Sequence, residues 1–107
     1  YTSKFLELGL LDKADVQNQD KNWPAYKKYM MHGTSHHLGL DTHDYGILKD
    51  KFVENMVFTV EPGIYLPAEG FGVRIEDDLV IQNSGPAFNL MKNIPIEVEE
   101  IEELMNS

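Results

Sequence analysis

One stretch sets the terms for the rest of the chain. Between His32 and Gly46 fall four histidines, three glycines and two aspartates. Glycine loses the most backbone entropy in any regular element, and aspartate competes with the backbone for hydrogen bonds. The stretch is therefore poor material for a helix or a half-buried strand, and the patterns on its two sides differ. Before it, Phe5, Leu6, Leu8 and Leu10–Leu11 mark a helix over Thr2–Leu11, with Thr2 or Ser3 placed to cap it and Gly9 an imperfect member. Asp12–Trp23 is polar and reads as loop, and Pro24 can open a short helix over Ala25–Tyr29. After it the pattern is β. Met56–Val60, Ile64–Leu66, Phe71–Ile75 and Asp78–Ile81 are short strand candidates joined by Gly-containing turns, and Asn83-Ser84-Gly85-Pro86 is a further turn. In Ile96–Met105, Val98, Ile101 and Leu104/Met105 recur at helical spacing, which predicts a surface helix with its acids facing water. The expected class is α+β with a mainly antiparallel sheet, one unit over residues 1–107 without an internal boundary.

Composition narrows the function classes. A chain of 107 residues fits one small domain or part of a larger one, and 42% hydrophobic content allows a packed core. No apolar run is long enough to span a bilayer, so no membrane partner is expected. Tyr1 reads as already inside a helix, without an initiator Met or signal pattern, so the chain is expected to be cut from something longer. The net charge of −9 argues against nucleic acid, which needs clustered Lys and Arg. Much of that charge is one tail segment carrying Glu97, Glu99, Glu100, Glu102 and Glu103. The absence of cysteine removes disulfides and thiolate ligands and is compatible with a cytoplasmic location, the default expectation.

Three places could carry chemistry. A lone histidine is usually structural, but His32, His36, His37 and His43 stand among glycines that let several imidazoles converge, and imidazole is the commonest metal ligand. Pro62 holds Glu61 extended at the end of an apolar strand, where its carboxylate would point across a site; the alternative is an edge glutamate in water. In Val73-Arg74-Ile75-Glu76-Asp77-Asp78, strand alternation puts Arg74 and Glu76 on one face. They form either an ordinary ion pair or a metal-binding glutamate beside an arginine that steadies neighbouring acids, and Asp77 and Asp78 read as strand-end or turn residues. One histidine with two glutamates and no cysteine points to Mn²⁺, Zn²⁺, Fe²⁺ or Co²⁺, the carboxylates favouring Mn²⁺.

Taken together these segments resemble a known family. His32-Gly33-Thr34-Ser35-His36-His37-Leu38-Gly39-Leu40-Asp41-Thr42-His43-Asp44 is similar to the histidine block of aminopeptidase P. Thr59-Val60-Glu61-Pro62-Gly63-Ile64-Tyr65 and Val73-Arg74-Ile75-Glu76-Asp77-Asp78 resemble its two glutamate blocks, and Leu90–Met105 its closing strand and acidic helix. The resemblance covers nearly the whole chain. It implies the C-terminal portion of a pita-bread (creatinase/aminopeptidase) fold that binds two divalent metal ions, most simply Mn²⁺. It further implies His36 and Glu61 as ligands of one ion and Glu76 as a bridge between both. His43 would stand near the substrate to stabilise developing charge, His32 would line the pocket for the proline side, and Arg74 would steady the surrounding acids. Glu61 would double as the acid/base. The implied reaction releases the N-terminal residue from peptides with proline second, in a parent expected to be a homo-oligomer. The family's two aspartate ligands have no counterpart before His32, since Asp12, Asp15 and Asp20 come too late in its order. The chain is thus expected to need an N-terminal half and to be inactive alone. His37 stands where an aromatic such as tryptophan is expected. Two other readings stand beside this one: a prolidase cleaving X-Pro dipeptides, and a non-catalytic peptide-binding module of the same fold.

Overall fold

The computed structural model describes residues 1–47 and 49–107, which form two compact units.

The first unit comprises Tyr1–Gly33 and Pro62–Arg74. Its first helix, α1 (Thr2–Glu7), begins at Tyr1 without a side-chain cap, so neither Thr2 nor Ser3 takes the role expected of it. Gly9, at φ 72°, terminates the helix early. The Gly9 N–H donates to the Leu6 carbonyl and the Leu10 N–H to that of Phe5, the paired bonds of a Schellman stop. Asp12–Trp23 is not all loop. Asp12 caps α2 (Lys13–Gln17), and the Asp12 and Asp15 side chains accept each other's backbone N–H at 2.8 Å each. This reciprocal box satisfies two orphan amides and sustains a helix that has no apolar face to reveal it. Asp12→Ala is expected to cost about 1 kcal/mol locally, read as faster amide exchange at Asn18, whose N–H closes the helix on Ala14; unchanged exchange would mean the box contributes nothing. Pro24 opens a 3₁₀ turn, Ala25–Lys28. The core is Phe5, Leu11 and Met30, with Tyr26, Tyr29, Ile64 and Tyr65 packed around it. A hairpin of β1 (Gly63–Leu66) and β2 (Phe71–Arg74) pairs Gly63 with Arg74 and Leu66 with Phe71. The Tyr65 N–H donates to the Tyr29 carbonyl at 2.8 Å, tying the hairpin to the helical segment.

The second unit comprises Thr34–Glu61 and Ile75–Ser107. Strands β3 (Val57–Val60), β4 (Asp77–Val80) and β5 (Phe88–Asn89) form an antiparallel sheet in that order. β5 comes just before the stretch expected to hold the closing strand. The histidine segment runs along β3 without becoming a strand. The Glu61 N–H donates to the Thr34 carbonyl at 2.7 Å, the Thr59 N–H to His36 at 3.0 Å, and the Leu38 N–H to Val57 at 3.0 Å. These three bonds give a glycine-punctuated segment the order that its composition withholds. The strand alternation proposed for Arg74 and Glu76 does not run through. β2 ends at Arg74 and β4 begins at Asp77, so Glu76 lies in the two-residue link between separate sheets. The last helix, α3 (Val98–Met105), forms where the periodicity predicts it, but Val98, Ile101, Leu104 and Met105 are exposed along with its acids.

Candidate metal centre

The site starts from a buried threonine. Thr59 is completely buried in β3, and alternation puts it on the same side as Glu61, two residues on. Its hydroxyl accepts the His36 N–H at 3.1 Å and donates to Glu61 Oε1 at 3.4 Å. One side chain thus fixes both the main chain at His36 and the carboxylate of Glu61. Pro62 keeps Glu61 extended as it leaves the strand.

The His36 ring is fixed from its other end. Nδ1 lies 2.9 Å from the His37 carbonyl, which can only accept, so Nδ1 carries a hydrogen. In the neutral ring Nε2 then presents its lone pair, and it lies 3.1 Å from Glu61 Oε1. A lone pair facing a carboxylate oxygen calls for a cation, a proton or a metal ion, to satisfy both. Glu76 joins them from the link between sheets, and one donor atom from each of His36, Glu61 and Glu76 lies within 4.8 Å of the others. The His36 and Glu61 side chains are mostly buried, and Glu76 is exposed. Ligands about 2.1 Å from one ion and at right angles to each other stand about 3 Å apart, close to the observed His36–Glu61 separation. The donor set of one imidazole and two carboxylates fits a divalent ion with nitrogen and oxygen preference.

His43 belongs to the same unit. Its ring lies 4.3 Å from that of His36, centroid to centroid, at 53°. His37 turns elsewhere. Its ring packs on Phe58 at 4.3 Å, and its Nε2 is buried with no hydrogen-bond partner among the described residues. It also borders a cavity of about 190 Å³ lined by Ser35, Asp50, Phe52 and Met56 among others. His32 and Arg74 belong to the first unit. His32 Nδ1 donates to the Gly33 carbonyl at 2.7 Å, so its Nε2 accepts the Tyr65 hydroxyl hydrogen, also at 2.7 Å. Tyr65 is held over Gly63 and Gly72, where a Cβ at either glycine would press on its ring. Thr59 and Tyr65 were not singled out from sequence. Thr59 carried a usable signal, a hydroxyl two residues before a strand-end glutamate, whereas the Tyr65 contact spans 33 positions and has none.

Residues 7–83 match metallopeptidase family M24. The chain belongs to this family. It is 42% identical to the Xaa-Pro aminopeptidase of Haemophilus influenzae, over 98% of this chain and 26% of that protein. It is 41% identical to the Xaa-Pro aminopeptidase of Escherichia coli, over 96% and 25%. The structure of Pseudomonas aeruginosa aminopeptidase PepP aligns with a TM-score of 0.79 at 36% identity, covering 98% of this chain and 26% of that one. The expected α+β portion of an aminopeptidase P fold is therefore correct, and the chain spans about a quarter of the length of these M24 relatives. M24 peptidases are metallopeptidases, so a divalent ion is implied, and among the described residues His36, Glu61 and Glu76 bring donor atoms close enough together to hold one. Among the described residues no helix is long and apolar enough to cross a membrane.

Proposed function

We propose that the chain is part of a metal-dependent aminopeptidase that releases the N-terminal residue from peptides with proline in second position. The observation that carries this reading is the convergence of His36, Glu61 and Glu76, with the His43 ring packed against that of His36, in a chain of the M24 family. His36 and Glu61 would hold one ion and Glu76 would be shared with a second, the remaining ligands coming from parts of the catalytic domain outside this chain. Mn²⁺ suits the carboxylate-rich set best. Bound ions would supply Lewis-acid polarisation of the scissile carbonyl and acidify water.

The chain's own residues would do the rest. The scissile amide nitrogen, proline's own, is tertiary and must gain a proton as the C–N bond breaks, while the elements of water add across that bond. Glu61 would take a proton from the attacking water and deliver it towards the departing nitrogen. His43 would donate a hydrogen bond to the oxygen on which charge develops. His32, with both nitrogens engaged by Gly33 and Tyr65, has neither free for proton transfer and would instead offer its ring to the apolar proline side. Arg74 would steady the acids near the ligands, as the resemblance implies.

The test uses the full-length protein that contains this chain. With Mn²⁺ it is expected to cleave Arg-Pro-Pro after the first residue and to lose that activity on chelation. Preference for an Ala-Pro dipeptide would move it to prolidase. If the folded, metal-supplemented protein cleaves neither, the enzyme reading fails and a peptide-binding role takes its place.

A further inference from the structure

The loop that carries His43 is anchored on one side far better than on the other. Its outgoing limb is bonded to β3 through Thr34, His36 and Leu38. On its return, the described residues 41–44 make two main-chain contacts back to the outgoing limb: the Asp41 carbonyl accepts from Gly39 at 3.2 Å, and the Asp44 N–H donates to the His37 carbonyl at 3.0 Å. The second contact matters for the site, because the His37 carbonyl is the same atom that accepts from His36 Nδ1. A carbonyl oxygen has two lone pairs, and here one goes to the imidazole and the other to the loop's return. The Asp44 side chain completes the closure, its Oδ2 accepting the Leu40 N–H at 3.2 Å.

Gly39 makes room for that carboxylate. A Cβ at Gly39 would overlap Asp44 Oδ2 and crowd the carboxyl carbon. The Gly39 φ lies outside the left-handed region, so its backbone would accept alanine, and only the Asp44 side chain would object. His43 is otherwise exposed and rests on His36 by its ring alone among the contacts described.

We propose that Asp44, seated in the space left by Gly39, is a positioning residue that closes the 37–44 loop and so holds His43 over the His36 ligand. It acts through the Leu40 amide and the His37 carbonyl and touches neither metal nor substrate. The consequence for turnover rests on the aminopeptidase reading; the loop closure itself does not.

The experiment compares Asp44→Ala, Asp44→Asn, Gly39→Ala and the Asp44→Ala/Gly39→Ala pair in the full-length protein. Three quantities are read: amide exchange at Leu40, kcat on Arg-Pro-Pro, and Mn²⁺ affinity by titration. Asp44→Ala is expected to expose the Leu40 amide and to lower kcat about 10²-fold, the scale of an ångström of misplacement. Mn²⁺ affinity should change by less than about tenfold, because the ligands keep their own supports. Asp44→Asn, whose amide oxygen can still accept from Leu40, should recover most of both losses. Gly39→Ala should reproduce the loss by displacing the carboxylate, and the double variant should be no worse than Asp44→Ala, since the added methyl then meets nothing. Fully additive effects of the two single changes, or a Leu40 amide that stays protected in Asp44→Ala, would overturn the proposal. If the unaltered protein proves to cleave no proline-containing peptide, the aminopeptidase reading is what fails, and Leu40 exchange across the four variants still decides the loop closure.

Discussion

Replacing Glu61 with glutamine is expected to remove most of the metal affinity and with it the activity. The substitution keeps the size of the side chain, and the main-chain bond from residue 61 to Thr34 is untouched. What changes is the face turned towards His36. Nδ1 of that ring is committed to the His37 carbonyl, leaving Nε2 as the lone-pair end, 3.1 Å from Glu61 Oε1. A carboxylate there leaves two acceptors facing each other and invites a cation. A carboxamide can turn its NH₂ towards Nε2 and satisfy the ring with no ion at all. Glutamine therefore removes a negative charge and also stabilises the metal-free pair. Loss of residues that merely support a metal ligand commonly costs 10–100-fold in affinity, so loss of a ligand should cost at least about 10²-fold. Turnover should fall further, by about 10²–10⁴-fold even at saturating Mn²⁺, if Glu61 also handles the proton. Titration of Mn²⁺ into the folded variant, alongside kcat at high metal, separates the two roles. Affinity within about threefold of the parent would remove Glu61 from the ligand set.

What could be read from the sequence, and what could not, follows the range of the interactions. The strands around Met56–Val60 and Ile64–Leu66 were legible because β-branched and aromatic residues and flanking Pro62-Gly63 are local signals. The grouping of His36, Glu61 and Glu76 was anticipated through the family's three blocks, and the structure brings those donors within 4.8 Å. Spacing alone did not bring Glu76 to the others, since the alternation argument fails where β2 stops at Arg74 and β4 starts at Asp77. α2 was hidden because its stability comes from two polar side chains, Asp12 and Asp15, in a stretch whose polarity reads as loop. The exposed apolar residues of α3 show the converse. Periodicity predicted the helix correctly, but no sequence pattern tells whether a partner for the stripe lies within the same chain. The hydrogen bonds from the His36 N–H to Thr59 and from the Tyr65 hydroxyl to His32 join positions 23 and 33 residues apart and leave no local trace.

Thr59→Val should separate the metal site from the strand that bears it. Valine matches threonine in shape and suits a strand at least as well, so β3 and its pairing with β4 should survive. The hydroxyl alone is lost, and with it an acceptor for the His36 N–H and a donor to Glu61. Leaving the part-buried His36 amide without its partner costs about 1 kcal/mol, and residue 59 has no solvent contact through which water could substitute. The variant is therefore expected to unfold at lower denaturant concentration with an unchanged slope, meaning a similar change in exposed surface. Mn²⁺ affinity should fall by about 10–100-fold, because both His36 and Glu61 lose the atom that fixes them to each other. Thr59→Ser, which keeps the hydroxyl and gives up a methyl, should do the reverse: measurable loss of stability with metal affinity nearly intact. If valine and serine lowered metal affinity equally, packing around Thr59 and not its hydroxyl would be what organises the ligands.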